Sequence, residues 1–363
     1  MKVVIATCFK SNDERVDFLG EYFKSKGNQV EKITSTFDHI LKKNRTDFKS
    51  DFHYLPAQKY KKNISIKRLL SHSQFATDLY FMIEDLKPDL IWLIIPANSL
   101  VKMAAKYKKK YPNTIIIIDV IDMWPESLPI NINKFALPFN LWRNRRSNYL
   151  KYADKVVSEC DYYKEILNKE INSDIETIHW SRDEDIFRSY LDLSTGSLSL
   201  CYLGSINNII DIEEIKRIIV SFNYPVILHV IGDGEKKKEF IDALSKVCEI
   251  NDHGQVRDQI KKAEILRHCH AGLNIYKKGL YIGLTVKSID YLQYGLPIIN
   301  NIKGDTWKMI EDYNVGFNVD KKINYEEVVN MRENNEHIFN LYYKEFSRKS
   351  FMEKVNKVVE DLL

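Results

Sequence analysis

The densest chemistry in the chain lies between Gly279 and Asn301, in the stretch GLYIGLTVKSIDYLQYGLPIINN. Gly279 and Gly283 let the backbone lie close to a partner. Thr285-Val286-Lys287 then open a helix in which the apolar residues Val286, Ile289 and Leu292 recur at helical spacing. Gly295 stops this helix, Pro297 cannot continue it, and the apolar Leu296-Pro297-Ile298-Ile299 reads as a buried parallel strand. A loop feeding a helix start presents free N–H groups and the positive end of the dipole. Lys287 adds a full charge, so the guest this chemistry predicts is a phosphate. Asp290 lies one turn on and shares the face of Lys287, one side chain suited to a diphosphate and the other to sugar hydroxyls.

The elements that must position these residues alternate along the chain. Lys2–Phe9 reads as a first buried strand, Val16–Lys26 as an amphipathic helix ending at Gly27, and Gln29–Thr34 as a second strand. The loop at Lys10–Asp13 lacks the glycine-rich phosphate fingerprint, which argues against a nucleotide there. Residues 36–64 are polar, lysine-rich and irregular, with Phe48, Phe52, Tyr54 and Tyr60 needing some partner surface. A helix over Ser65–Leu86, a strand over Leu90–Ile95, a helix over Ser99–Tyr111 and a strand over Thr114–Val120 follow. Lys134–Tyr152 mixes Phe135, Leu137, Phe139, Leu141 and Trp142 with Arg143, Arg145 and Arg146, the pattern of a basic amphipathic helix that rests on a sheet or in a membrane interface. Lys155–Ser158 is a short strand. In the second half, Leu198–Leu203 ends in Gly204-Ser205, Val226–Ile231 ends in Gly232-Asp233-Gly234, and Ala271–Tyr276 leads into the opening stretch. Strands and helices in alternation predict parallel sheets.

With Lys287, Asp290, Tyr291, Gly295 and Pro297 in register, the Gly279–Asn301 stretch resembles the donor-binding segment of family 4 glycosyltransferases of GT-B fold. Asp290 stands where the usual residue is Glu, and Ile282 stands where such families often carry a second Glu. Asp119, Asp122, Trp124, Pro125 and Glu126 match a family segment beside the donor sugar, with Ile121 in place of its His. The resemblance casts Asp122 and Glu126, with Lys287, as the catalytic groups; helix capping is the alternative role for the two acids. Gly232-Asp233-Gly234 is similar to the family's G-D-G turn. Ser205, Asn207 and Asn208 stand where relatives place an Arg and a Lys, which leaves more of the diphosphate to Lys287. Gly254–Arg257 resembles the loop that meets the nucleobase, and Ile178–Phe187 the crossing between domains, with Asp183 and Phe187 in register. The implied nucleotide-sugar site comprises Gly204, Ser205, Asn207, Gly232, Arg257, Tyr276, Gly283, Leu284, Thr285, Val286, Lys287 and Asp290. The implied fold is α/β GT-B, two doubly wound Rossmann-like domains facing a cleft. An acceptor-side domain spans residues 1–185, a nucleotide-sugar domain 186–337, and a terminal helix over 338–363 crosses back to the first domain.

Composition sets the remaining bounds. The 363 residues suit two domains, and 44% hydrophobic with 29% charged residues fits a globular chain of net charge +4. The basic residues are in excess in the first half, which fits an anionic surface or a phosphorylated acceptor. Neither a spanning run of about 18 apolar residues nor a signal peptide is evident, so a cytoplasmic protein is expected, at the inner face of the membrane if residues 134–152 touch lipid. Cys8, Cys160, Cys201, Cys248 and Cys269 are odd in number and scattered, which predicts free thiols. His268-Cys269-His270 is too tight for one tetrahedral metal site. Asp183-Glu184-Asp185 spells a D-x-D but follows no strand, so no metal is expected. The activity expected is hexose transfer from a UDP-sugar to a glycan or lipid-linked acceptor in bacterial surface polysaccharide or glycoconjugate synthesis, with no cofactor other than the donor substrate and, by resemblance, with retention. No nucleic-acid partner is expected, and a homo-oligomer is compatible with the chain. The alternatives are a UDP-sugar 2-epimerase of the same fold and a non-catalytic glycosyltransferase-like subunit.

Overall fold

The computed structural model describes residues 1–128, 137–171, 175–182, 191–193 and 196–363. The chain divides into two units, Met1–His179 with Phe351–Leu363, and Trp180–Ser350. Asp183, Phe187 and the D-x-D triplet lie outside the described residues, as does Phe135.

In the first unit the order is β1 (Lys2–Thr7), α1 (Asp13–Ser25), β2 (Gln29–Ser35), β3 (Phe37–Asp38), β4 (Lys43–Asn44), β5 (Phe52–Leu55), α2 (Ile66–Leu86), β6 (Leu90–Ile95), α3 (Ser99–Lys110), β7 (Ile115–Val120), α4 (Leu137–Leu150), β8 (Lys155–Ser158), α5 (Asp161–Ile171) and β9 (Glu176–Thr177). Seven parallel strands form one sheet in the order β5-β2-β1-β6-β7-β8-β9. The strand runs are apolar almost throughout because helices cover both faces; β6, LIWLII, is buried at every position. The segment 36–64, expected to be irregular, instead makes the β3-β4 hairpin and adds β5 as an edge strand beside β2. Its aromatic residues explain why: Phe52 and Tyr60 are buried, and only Phe48 remains largely exposed.

The second unit runs β10 (Leu198–Leu203), α6 (Ile212–Ser221), β11 (Val226–Ile231), α7 (Lys237–Leu244), β12 (Glu249–Gly254), α8 (Gln259–Leu266), β13 (Ala271–Asn274), α9 (Val286–Gln293), β14 (Ile298–Asn300), α10 (Asp305–Tyr313), β15 (Gly316–Asn318), α11 (Tyr325–Glu333) and α12 (Glu336–Phe346). Its six parallel strands lie in the order β12-β11-β10-β13-β14-β15. Strand β12, EINDHG, carried no apolar alternation to mark it; it pairs at the sheet edge, where polar residues are tolerated. The terminal segment expected as one helix over 338–363 is two. Helix α12 stays with the second unit, and Phe351, Val355, Val358 and Val359 of α13 (Arg348–Glu360) enter the first unit's core beside Val3, Phe18 and Leu19.

One buried ion pair fixes the first sheet. Arg15 on α1 grips Asp119 at the end of β7 with two bonds of 2.7 and 3.0 Å, and it also donates to the Ile178 and His179 carbonyls. The Trp92 indole N–H, at 3.0 Å, shares the same carboxylate. Asp119 is thereby a structural residue. Arg15→Ala leaves a buried carboxylate without its cation, and we expect a loss of about 3–5 kcal/mol in unfolding free energy by urea titration.

Candidate functional site

A doubly wound sheet binds ligands where neighbouring strands send their chains in opposite directions. In the second unit that point lies between β10 and β13, whose ends lead into Gly204 and Tyr276 and, through the loop after β13, into α9. Helix α9 begins beside these strand ends because Thr285 caps it. Its hydroxyl accepts the Ser288 N–H at 3.2 Å and donates to Asn274 Oδ1 at 2.9 Å. Asn274 is itself held: Asn274, Asn300 and Asn318 occupy paired positions on β13, β14 and β15, and their amides bond in series at 2.9 Å each. This asparagine ladder orients the cap. Single-sequence patterning does not single it out, although three Asn at the same register were there to be counted.

Tyr291 bolts the helix from the other side. Its hydroxyl accepts the Leu203 N–H at 2.9 Å and lies 3.2 Å from the Cys201 and Leu273 carbonyls, while its ring lies against Gly272, where any Cβ would collide. At the far end Gly295 takes φ +64°, and buried Arg332 donates to the Tyr294, Gly295, Leu266 and Cys269 carbonyls. These carbonyls lie at or just past the ends of α8 and α9, where intrahelical donors run out, and Asn335 Nδ2 and the Cys269 N–H share the Gly295 and Leu266 oxygens with the guanidinium.

So fixed, α9 holds Lys287 in an unusual state. The residue is 7% exposed, and its Nζ has no hydrogen-bond acceptor among the described residues. It lies 4.1 Å from the centroid of the Tyr202 ring and 4.9 Å from that of Tyr276, so its electrostatic partners are two π faces. Burial lowers its pKa from 10.5 to about 7. Gly204, at φ +111°, lies over the Lys287 stem, and Gly232 packs against the Gly204 backbone so closely that no side chain fits. The glycines are there for close approach.

The other predicted residues are placed as follows. Gly283 is buried, Leu284 partly so, and Val286 is 45% exposed, so it does not join Ile289 and Leu292 in the core face as its spacing implied. Asp290 is buried one turn past Lys287, and its Oδ1 accepts from Arg182 Nε at 2.9 Å. Ser205 is exposed, its carbonyl taking the Tyr202 hydroxyl; Asn207 caps its own turn by accepting the Ile209 N–H; Arg257 lies exposed between β12 and α8. In the first unit, Asp122 accepts from Ser127 Oγ, and burial raises its pKa above the usual carboxylate value. Glu126 is buried, accepting from Arg143 Nε at 2.7 Å and from Arg146 Nη2 at 2.8 Å. Arg146, expected on the polar face of α4, is fully buried by this pairing, whereas Leu137 and Leu141 are exposed. All five cysteines are free.

No protein-family model matches the chain, and no curated protein does. Solved structures match along its whole length. The apo lipopolysaccharide outer core galactosyltransferase WaaB is 14% identical with TM-score 0.67, all of both chains being covered. The sucrose-phosphate synthase of Thermosynechococcus elongatus is 12% identical with TM-score 0.70, covering 99% of this chain and 98% of the other. HepE of Anabaena, in complex with UDP and glucose, is 10% identical with TM-score 0.65, again over all of both chains. The chain has the GT-B fold.

The Lys287 environment makes a stability prediction. Because its folded pKa lies below its unfolded value, the penalty for the charged form is complete below about pH 7 and fades as pH rises toward 10.5. Lys287→Met should therefore gain roughly 1–3 kcal/mol of stability at pH 6, and the gain over wild type should shrink by pH 9 in urea titrations.

Proposed function

We propose that the chain is a glycosyltransferase that moves a hexose from a UDP-sugar to a glycan or lipid-linked acceptor in surface polysaccharide or glycoconjugate synthesis, with retention. The observation that carries this reading is the buried ammonium of Lys287, without an acceptor among the described residues, at the first turn of α9 beside the switch point of the sheet. An ammonium kept there without a partner is matched by a diphosphate, whose oxygens supply the missing acceptors. The likeness to HepE, which holds UDP and glucose, and to the galactosyltransferase WaaB supports the donor class.

The chemistry follows from the charges. As the bond from the anomeric carbon to the diphosphate oxygen breaks, its electron pair passes to that oxygen; Lys287 and the free N–H groups at the start of α9 stabilise the growing charge. The acceptor hydroxyl oxygen forms the new bond to the anomeric carbon, and its proton passes to the departing diphosphate oxygen. Asp290 gives its second oxygen to a ribose hydroxyl while Arg182 holds the first. Of the two acids on the first unit, Asp122 serves sugar hydroxyls; Glu126, gripped by two guanidiniums, serves to hold α4. The exposed Leu137 and Leu141, with exposed Arg145, fit shallow contact with an anionic membrane surface.

Binding of UDP should draw a proton onto Lys287. Near and above pH 7 the free site is partly neutral and the bound one charged, so affinity should fall about tenfold per pH unit until the bound pKa is passed. Calorimetry in buffers of differing ionisation enthalpy measures the uptake, which should vanish in Lys287→Met. The transferase reading itself is tested with a panel of UDP-sugars. UDP release is expected, with about 10²-fold or greater loss in Lys287→Ala; turnover within a few fold of wild type would refute the assignment. Epimer formed from UDP-sugar alone would favour the epimerase, and no thermal stabilisation by UDP a non-catalytic chain.

A further inference from the structure

The first unit has its own switch point, between β1 and β6, and an unusual set of side chains surrounds it. Arg68, Ser71 and His72 share one face of α2 near its start, and all three are buried. Phe9 follows β1, Asn98 follows β6, and Trp124 follows β7. The Arg68 guanidinium lies 3.8 Å from the Trp124 ring centroid and 5.7 Å from that of Tyr60, while His72 stacks on Trp124 at 6.2 Å and 18°.

Arg68 Nε, Ser71 Oγ, both ring nitrogens of His72 and Asn98 Oδ1 are buried without a hydrogen-bond partner among the described residues. Buried polar atoms are almost always paired, so five orphans around one switch point mark a place built for a polar guest. The charge indicates which. Lys42 Nζ lies 4.7 Å over the same Tyr60 ring that Arg68 faces, and neither cation makes an ion pair with a carboxylate among the described residues. Burial keeps His39 and His72 neutral, so the positive charge of the cluster is carried by Arg68 and Lys42. The nearby carboxylates hydrogen-bond to other groups, Asp38 to Lys10 and the Ile40 and Leu41 N–H groups and Asp122 to Ser127, and their charges reach Lys42 and Arg68 only through space. Ser65 caps α2 through the Arg68 N–H, and the helix dipole adds positive potential at this end.

We propose that this cluster binds the anionic group, a phosphate or a carboxylate, of an acidic sugar, whose ring rests against Trp124. Resting on the transferase reading, this sugar is the acceptor, so the acceptor class is a phosphorylated sugar or a uronic acid. Arg68 is then the residue that selects charge.

Calorimetry on the full chain without nucleotide tests it, with glucose 1-phosphate, glucose 6-phosphate, glucuronate, glucose and inorganic phosphate as probes. At least one acidic sugar should bind tenfold or more tightly than glucose, the phosphate and carboxylate arms showing which group is read. Arg68→Gln should abolish that preference while UDP affinity stays within twofold. Because Arg68 is buried, Lys42→Ala serves as a second variant, with an expected loss of threefold or more. Equal affinity for glucose, no binding of any acidic sugar, binding of inorganic phosphate alone, or a preference untouched by both variants overturns the proposal. UDP affinity of the wild type is read separately, so failure of the donor reading at Lys287 is distinguishable from failure here.

Discussion

An ammonium group buried against two tyrosine rings, with no oxygen among the described residues to accept its protons, is the constraint around which the second unit is arranged. Taking a cation out of water is costly, and the interior returns little of that cost unless an anion arrives. The surroundings therefore hold Lys287 by every other means. Thr285 caps the helix, the asparagine ladder holds Thr285, Tyr291 ties the helix to two strands, and Arg332 closes its far end. Each contact is ordinary alone. Together they leave the side chain no route to a more comfortable place, which is the preorganisation that charge stabilisation in a transition state needs.

The first unit repeats the arrangement with different chemistry. Both sheets are parallel, and both gather polar side chains at the carboxyl ends of the strands beside their switch points. Where the second unit uses a lysine and glycines that admit close backbone approach, the first uses a guanidinium among aromatic rings. The contrast suits the two guests proposed. A diphosphate is recognised by a helix start and a point charge, an acidic sugar by a planar cation and an aromatic face. The Arg15–Asp119 pair supports the first site without touching it, since Asp119 ends the strand whose continuation carries Asp122 and Trp124.

Much of the architecture was legible because its signals are local. The apolar runs of β6, β8, β10 and β11 stood out with their exact limits, since strands buried on both faces admit few polar residues. Gly295 and Pro297 marked the end of α9 through backbone stereochemistry alone. Failures came where a long-range partner overrode the local pattern. Val286 fits the apolar spacing of α9 yet is exposed, while Lys287 and Ser288 of the same turn take the buried side. Arg146 reads as a polar-face residue and is buried, because Glu126 and Glu170 meet it there. β12 is too polar to announce itself and β5 is only four residues long inside a lysine-rich segment, and pairing at a sheet edge makes both of them strands.

The sequence by itself determined the alternation of the apolar strands with helices, the parallel character of the sheets, and a cation at the opening of a helix after a glycine-bearing loop. Those follow from side-chain periodicity and from what glycine and proline permit, which neighbours in the chain suffice to decide. Only the tertiary structure decided which charges are paired. It gave Glu126 to Arg143 and Arg146 and Asp290 to Arg182, and among the described residues it left Lys287 and the Arg68 Nε without an acceptor. Whether a charged group is satisfied depends on atoms brought within about 3 Å from distant parts of the chain, and no local pattern carries that information.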